Sequence, residues 1–340
     1  MGWRIPAHQS RETSQPRPPE AQLVIDEEIP VTTTITREAV PLAQAQPRRR
    51  RRSPARRTRL AGLAFVALPL LAYAIVMLVP IANSFWYSFW KWDGHTQATW
   101  VGFANYLAFV TDPVLASTLG HVLVLVVFFA LLPIVLGLAS AALITRRRLP
   151  GMALFRFIYF LPQVLTSVVV ALVFKRLYGP NGPINESLRA VGLGSWARPW
   201  LGDFTWALPA LGLIGTWAGF GFCMVLFISG ISSIPGELYE AARVDGAGPI
   251  REFFSVTLPG LRGQLAVALT LTVTGALRTF DLVWITTHGG PGTSTLTPAV
   301  ALYKAAFQNP QVGLASAIGI VMAVLCLLIA LIIGRIEERD

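Results

Sequence analysis

The sequence predicts an all-α membrane protein with six transmembrane helices, and three observations lead to this prediction. Of the 340 residues, 54% are hydrophobic and 14% are charged, which is well below the charged fraction of a soluble domain. Long apolar runs without formal charge alternate with short polar segments. Lysine and arginine are concentrated in every second polar segment, which is typical of membrane proteins with a fixed orientation.

Six apolar segments provide the expected helices. A helix needs about 20 apolar residues to cross the bilayer core, and in lipid its backbone hydrogen bonds must close within the segment. Five segments carry no formal charge: residues 60–90, 113–145, 157–174, 204–236 and 305–334. The third reaches the required length when its flanking residues from Met152 onward are included. The sixth, about residues 261–286, carries Arg278 and Asp281 near one end.

The distribution of lysine and arginine predicts that both chain termini lie in the cytoplasm. With that orientation, the cytoplasmic segments hold twenty of these residues and the outer loops hold four, while four more lie at span ends. Positive charge in short loops sets the orientation of membrane proteins. We therefore expect a multi-pass protein of the plasma membrane, with residues 236–260 in a cytoplasmic loop.

The first 58 residues form a separate region. They are rich in proline, threonine, glutamine and arginine and poor in aromatic residues, so we expect a disordered, basic cytoplasmic tail. No apolar stretch comes early enough to predict a signal peptide. The run RRRRRSPARRTR, residues 48–59, is also typical of nucleic-acid binding. Because it adjoins the first span, we expect it to contact anionic membrane lipid and no nucleic acid.

The segment GELYEAARVDGAGPIREFFSVTLPG, residues 236–260, is the most charged part of the second half of the chain. Residues 237–244 are predicted to form a short helix, because Leu238, Ala241 and Ala242 share one helical face. Asp245-Gly246 is a helix-stop signal. A second amphipathic piece follows, with apolar positions at Phe253, Phe254, Val256 and Leu258, and Pro259 marks the approach to the fifth span.

This segment resembles the EAA loop of permease subunits of bacterial ABC importers. The matching residues are Glu240-Ala241-Ala242, then Asp245-Gly246-Ala247, then Phe253, Val256, Leu258 and Pro259. The resemblance implies a coupling loop, residues 232–262, whose short helix docks on a cytoplasmic ATPase. It implies that the coupling residues are Glu240, Ala241, Ala242, Asp245 and Gly246. The alternative is an ordinary amphipathic loop that lies on the membrane surface.

Other stretches resemble the carbohydrate-type members of that family. They are WVGFANY (100–106), YGPNGPIN (178–185), FDLVWITTHGGPGTSTLTPAVALYKAAF (280–307) and GLASAIG (313–319). The resemblance covers about residues 60–336 and is strongest to the first permease of maltose- or glycerol-phosphate-type importers. It implies a type I importer permease fold over residues 59–340 in a bacterial cell membrane. Ser117-Thr118 and His288 depart from the usual motifs, which leaves the substrate open: a sugar, a related polyol, or a non-sugar solute such as glycerol phosphate.

An ATP-driven transporter needs a nucleotide-binding site, and the sequence of this chain lacks the usual motif for one. A Walker A loop requires a lysine after glycine, and none of Lys91, Lys175 and Lys304 has that neighbour. We therefore expect a transport subunit that is not an enzyme, with ATP hydrolysis on a separate cytoplasmic ATPase. The resemblance further implies a second permease subunit and an extracytoplasmic solute-binding protein. The histidines show no metal-ligand spacing and both cysteines lie in apolar runs, so we expect no metal and no cofactor.

Candidate substrate contacts lie in the fourth and fifth spans. Trp217, Phe220 and Phe222 stand among glycines, and aromatic rings stack on sugars, although helix packing also explains this pattern. Arg278 and Asp281 are three residues apart and are expected to pair across one helical turn, either as a structural ion pair or as substrate contacts.

Two other classes of membrane protein fit the sequence less well. A stand-alone secondary transporter would need internal repeats and several carboxylates within its spans, and Asp281 is the one acid there. A membrane enzyme would need a cluster of acids or histidines at the membrane face, and the sequence offers none.

Overall fold

The structure is a computed structural model that describes residues 65–145 and 151–338 of the chain. The predicted tail, residues 1–58, and its arginine-rich run lie outside the described residues. Within the described residues, five helices are long and apolar enough to cross a membrane, and one strongly bent helix pair makes a sixth span when it is taken as one unit.

The first two spans are joined by a short hairpin and a helix on one side of the membrane. In chain order the elements are α1 (Phe65–Tyr87), β1 (Trp90–Lys91), β2 (Thr99–Trp100), α2 (Ala104–Thr111) and α3 (Pro113–Thr145). The two strands are antiparallel, with Trp90 opposite Trp100. Asp112 caps α3, because its carboxylate accepts hydrogen bonds from the backbone N–H groups of Val114 and Leu115.

The middle of the chain holds the bent pair and the most buried span. The elements are α4 (Met152–Val164), α5 (Ser167–Leu177), α6 (Pro183–Ala190) and α7 (Ala207–Ser233). In its most apolar stretch, 56% of the residues of α7 are buried, whereas none of those of α1 is. Because α7 lies at the centre, other helices approach its backbone closely at its glycines. A Cβ at Gly221 would clash with the carbonyl of Tyr159, and a Cβ at Gly215 would clash with the ring of Phe129.

The last part contains the segment that resembles a coupling loop and two further spans. The elements are α8 (Gly236–Val244), α9 (residues 249–260, with a π-helical turn at Phe253–Thr257), α10 (Arg262–Leu277), α11 (Asp281–Thr286), α12 (Pro298–Tyr303) and α13 (Val312–Glu338). Helices α10 and α11 together make one of the five spans, Arg262–Thr286, which is interrupted after Leu277. The charge-free run 305–334 was expected to provide the last span. Its spanning helix begins instead at Val312, because Pro310 cannot continue a helix and separates it from the shorter helical segment before it.

The third span is not the continuous helix that we expected over residues 152–174. It bends by 96° between α4 and α5. Pro162 lies inside α4 and lacks the N–H that a continuing helix needs, and Leu165 and Thr166 are extended. Thr166 then starts α5 by accepting a hydrogen bond from the N–H of Val169. The count of six spans is reached with this bent pair as one of them.

The buried side chains form two apolar clusters along α7. One contains Leu211 and Ile214 of α7 together with residues of α2, α11, α12 and α13, among them Phe109, Val283, Val300 and Ile318. The other contains Cys223, Met224 and Phe227 together with Leu261, which immediately precedes α10. The first cluster supports the side of the membrane that carries the hairpin. The second supports the side that carries α8 and α9.

Candidate functional site

A cavity of about 530 Å³ lies where α7 passes the bend between α4 and α5 and the break between α10 and α11. The α7 residues at its wall recur at helical spacing: Ile214, Gly215, Ala218, Gly219 and Phe222. Its polar lining includes Gln163, Ser167, Thr272, Arg278, Thr279 and Asp281. The cavity therefore offers amide, hydroxyl, guanidinium and carboxylate groups within a membrane-spanning domain.

Two interruptions of membrane helices border this cavity. Lipid cannot satisfy free backbone N–H and C=O groups, so irregular backbone at membrane depth is tolerated where it is buried in protein or lines a water-filled space. The bend at Leu165 lines the cavity, and so do Arg278 and Thr279 in the break after α10. In transporters, such interrupted helices commonly surround the place where a solute is bound.

The expected pairing of Arg278 with Asp281 is wrong. Helix α10 ends at Leu277, and Asp281 is the first residue of α11, so the two residues do not share one continuous helix. Both side chains are exposed, both line the cavity, and no ion pair joins them. Each charge is therefore free to contact a polar molecule in the cavity.

The three aromatic residues predicted on the fourth span point to different places. Phe222 lines the cavity. Trp217 packs edge-on against Phe174 of α5, at 5.2 Å between ring centroids, and Phe220 packs against Tyr159 of α4 at 5.2 Å. The structure thus brings Phe222 to the cavity and gives Trp217 and Phe220 helix-packing contacts. Sequence reasoning missed two aromatic residues that line the same cavity, Phe129 and Phe280.

Helix α8 ends in a cap that needs glycine. The N–H of Ala247 bonds to the carbonyl of Ala242 at 2.9 Å, and the N–H of Gly246 bonds to that of Arg243 at 3.0 Å. This is the Schellman pattern, in which the residue after the helix adopts the left-handed conformation. Gly246 has φ +76°, as the helix-stop signal Asp245-Gly246 leads one to expect. Any other residue at this position is strained, although a Cβ there would meet no atom within 4 Å.

Side-chain contacts hold α8 and α9 together and fix α9 to the spans. The hydroxyl groups of Tyr239 and Thr257 lie 3.2 Å apart, and Thr257 is buried. Arg243 and Glu252 form an ion pair between the two helices. Leu261, directly after α9, is fully buried beside α7. These contacts connect α8 through α9 to the beginning of α10.

Several apolar side chains of α8 and α9 are largely exposed in this chain. The exposed fractions are 52% for Leu238, 87% for Val244, 76% for Ile250 and 61% for Phe254. Glu240 and Ala241 are exposed as well, and Ala242 is half-buried. Exposed apolar groups on a polar loop are typical of a site of protein or membrane contact.

Comparison with known proteins identifies the family. The family described as "Binding-protein-dependent transport system inner membrane component" matches residues 133–339, which is more than half of the chain. This chain belongs to that family. The permease is 34% identical over 323 residues to the diacetylchitobiose uptake system permease protein NgcF of Streptomyces coelicolor, with 91% of each chain covered. It is 31% identical over 279 residues to the multiple sugar-binding transport system permease protein MsmF of Streptococcus mutans, covering 82% of this chain and 95% of that protein.

The fold of the permease also matches a solved structure. That structure is the crystal structure of a bacterial ABC transporter involved in the import of the acidic polysaccharide alginate. The alignment with one of its chains has a TM-score of 0.70 at 23% identity and covers 84% of this chain and 97% of that chain. The importer-permease fold predicted from the sequence is confirmed. The permease is a multi-pass membrane component of a transport system and not an enzyme.

Proposed function

We propose that this permease is the pore-forming subunit of an ATP-driven importer for a sugar or a related polyol. The observation that carries the proposal is the cavity between the two helix interruptions. Its hydroxyl, amide and charged groups can exchange hydrogen bonds with a polyhydroxylated solute, while Phe222, Phe129 and Phe280 offer aromatic faces. Relatives named for diacetylchitobiose and for multiple sugars support the same class of substrate.

The cavity also supports a second candidate substrate. Arg278 is exposed at its wall and has no ion-pair partner in Asp281. A guanidinium group binds phosphate well because it presents several N–H donors in one plane. An anionic polyol such as glycerol phosphate therefore remains the alternative substrate of the importer.

The second part of the proposal concerns coupling to ATP hydrolysis. The exposed apolar groups of α8 and α9 form the surface on which a cytoplasmic ATPase docks, with Glu240, Ala241, Ala242, Asp245 and Gly246 at its centre. The small side chains of Ala241 and Ala242 allow close approach of the partner. The contacts from α8 through α9 to α10 carry the movement of the ATPase to Arg278 at the cavity wall.

The remaining partners follow from the transport system to which the family belongs. A second permease subunit completes the pathway, and α1, none of whose residues is buried within this chain, is available to pack against it. An extracytoplasmic solute-binding protein delivers the substrate on the side opposite α8. In the orientation that we propose, α8, α9 and both chain termini lie in the cytoplasm of a bacterial cell, with the chain in the plasma membrane.

An uptake assay tests the proposal. The permease is reconstituted into liposomes with the ATPase, second permease and solute-binding protein with which it assembles. ATP-dependent uptake is then measured for diacetylchitobiose, lactose, maltose, glycerol and glycerol 3-phosphate. We expect uptake of at least one sugar or polyol. Uptake of glycerol 3-phosphate alone would favour the second candidate, and no uptake of any of the five would overturn the proposed substrate class.

A further inference from the structure

Five aromatic rings form a continuous chain beside the cavity, on the side of the membrane opposite α8. Phe280, Trp284 and His288 follow one another at intervals of four residues, and so do Tyr303 and Phe307. The ring centroids are 5.8 Å apart for Phe280 and Trp284, 4.8 Å for Trp284 and His288, 4.7 Å for Trp284 and Tyr303, and 5.1 Å for Tyr303 and Phe307. We call these five residues the aromatic ladder.

The ladder joins the cavity to the protein surface. Phe280 at one end lines the cavity together with Arg278 and Asp281. Phe307 at the other end is 73% exposed, and His288 is exposed as well. Trp284 and Tyr303, between them, are half-buried. No member of the ladder is fully buried, so the rings run from the cavity wall to exposed residues at the outer surface.

The loop that carries His288 is held in a fixed shape. The N–H of His288 bonds to the carbonyl of Val283 at 3.0 Å, and the residue adopts φ +54°, which is uncommon for a residue other than glycine. The hydroxyl of the fully buried Thr295 bonds to the hydroxyl of Thr287 and to the carbonyl of Gly290, both at 2.8 Å. These bonds keep the His288 ring on Trp284 in a backbone conformation that an unconstrained loop would seldom adopt.

Core packing and an aromatic belt at the lipid interface are two structural roles for the ladder, and each explains only part of this arrangement. Core packing accounts for Phe280 and Trp284, which contact the first apolar cluster, but His288, Tyr303 and Phe307 are not part of that cluster. An aromatic belt at the lipid interface would put its rings on the lipid-facing surface. The ladder instead ends at the cavity wall.

We propose that the aromatic ladder is a carbohydrate-binding track along which a sugar passes from the outer surface to the cavity. Aromatic faces bind the C–H faces of sugar rings without fixing one orientation, and successive platforms allow a sugar to move from one to the next. The ligand class is a neutral mono- or oligosaccharide. This inference rests on the proposed function and adds a second set of sugar contacts outside the cavity.

The test measures sugar transported per ATP hydrolysed in the reconstituted complex, with a saturating concentration of loaded solute-binding protein. The probe is whichever of diacetylchitobiose, lactose or maltose the wild-type complex imports. The variants are Phe307→Ala and His288→Asn, since asparagine tolerates positive φ and has no ring. We expect the sugar-to-ATP ratio to fall about threefold to tenfold, as loss of one ring contact predicts. Phe307→Tyr restores the ratio, and Trp196→Leu, an exposed aromatic residue outside the ladder, leaves it unchanged.

A labelling experiment tests direct contact. Single cysteines replace Phe307 or Trp196 in a background without Cys223 and Cys326, and an impermeant thiol reagent is added during turnover. The same sugar should slow labelling at position 307 and not at position 196.

A wild-type ratio of sugar transported to ATP hydrolysed in both ladder variants, or equal labelling of position 307 with and without sugar, would overturn the proposal. Loss of the partner subunits from Phe307→Ala during purification would also overturn it and assign the ladder to assembly. If the wild-type complex imports no sugar, the proposed function fails first, and this inference with it.

Discussion

The Nε atom of Arg243 lies 3.4 Å from Oε2 of Glu252, so an ion pair joins α8 to α9 across the turn at Gly246. The Arg243 side chain is 63% exposed and that of Glu252 is 14% exposed. Because water screens a pair with one exposed partner, the pair contributes at most about 1 kcal/mol to stability. Together with the contact between Tyr239 and Thr257, the pair links two helices that we propose act together on an ATPase.

The cap of α8 provides a test with a matched control. Gly246 has φ +76° and Gly248 has φ −71°, and a Cβ at either position meets no atom within 4 Å. Gly246→Ala should therefore destabilise the loop by about 1 kcal/mol, while Gly248→Ala should have little effect. Hydrogen exchange of the α8 amides, measured in detergent, reports this directly. Faster exchange in Gly248→Ala than in Gly246→Ala would contradict the account.

The orientation of the permease can be measured with two exposed aromatic positions. Phe254 lies in α9 and Trp196 lies in the loop between α6 and α7. In a background without native cysteines, an impermeant thiol reagent added to intact cells should label Trp196→Cys and not Phe254→Cys. When the permease is expressed without the ATPase that is proposed to cover Phe254, both positions should be labelled after the cells are permeabilised, which controls for accessibility. The reverse pattern in intact cells would invert the proposed topology.

Phe222 and Trp217 allow the proposed substrate cavity to be tested within one helix. Phe222 lines the cavity, whereas Trp217 packs against Phe174 and does not line it. Phe222→Leu should lower ATP-dependent uptake of the imported sugar by about twofold to tenfold, since it removes a ring contact. Trp217→Leu should change uptake less than Phe222→Leu when both are compared at equal amounts of assembled complex. A larger loss for Trp217→Leu would place the sugar elsewhere.

The charge of Arg278 separates the two candidate substrates. If the solute is a neutral sugar, Arg278→Gln keeps hydrogen-bonding groups at the cavity wall and should reduce uptake only modestly. If the solute is glycerol 3-phosphate, the same change removes the cation that faces the phosphate, and uptake should fall about tenfold or more. The measurement is uptake of both solutes by the same preparations, with Gln163→Asn as a control that keeps all charges.

Local signals in the sequence predicted much of the fold. The charge-free runs gave the long helices, because lipid leaves a spanning segment few alternatives to a helix. The helix predicted at 237–244 is Gly236–Val244, and its stop at Asp245-Gly246 has the left-handed glycine that such a stop needs. These features depend on neighbouring residues alone, which is why a single sequence was enough to find them.

Features that depend on tertiary structure were not predicted. The bend after Val164 had visible signals, Pro162 and the capping residue Thr166, but its apolar surroundings made a continuous span look equally favourable. The break at Arg278 has no comparable signal, because it reflects the cavity that α7 and the bent pair form around it. For the same reason Trp217 and Phe222 looked alike in the sequence, although they face different neighbours in the fold.

The central claim is that α8 couples the permease to an ATPase, and three substitutions test it most directly. Ala242→Trp fills the space where the partner is proposed to approach, Glu240→Lys reverses an exposed charge, and Gly246→Val strains the cap. Glu237→Lys, an exposed residue in the first turn of the same helix, is the matched charge control.

For each variant the complex is purified, and ATPase retention, binding-protein-stimulated hydrolysis and sugar uptake are measured on one preparation. We expect normal insertion in all variants, and loss of either the ATPase or its stimulation in the three coupling variants but not in the control. Wild-type retention, stimulation and uptake in all three would contradict the account.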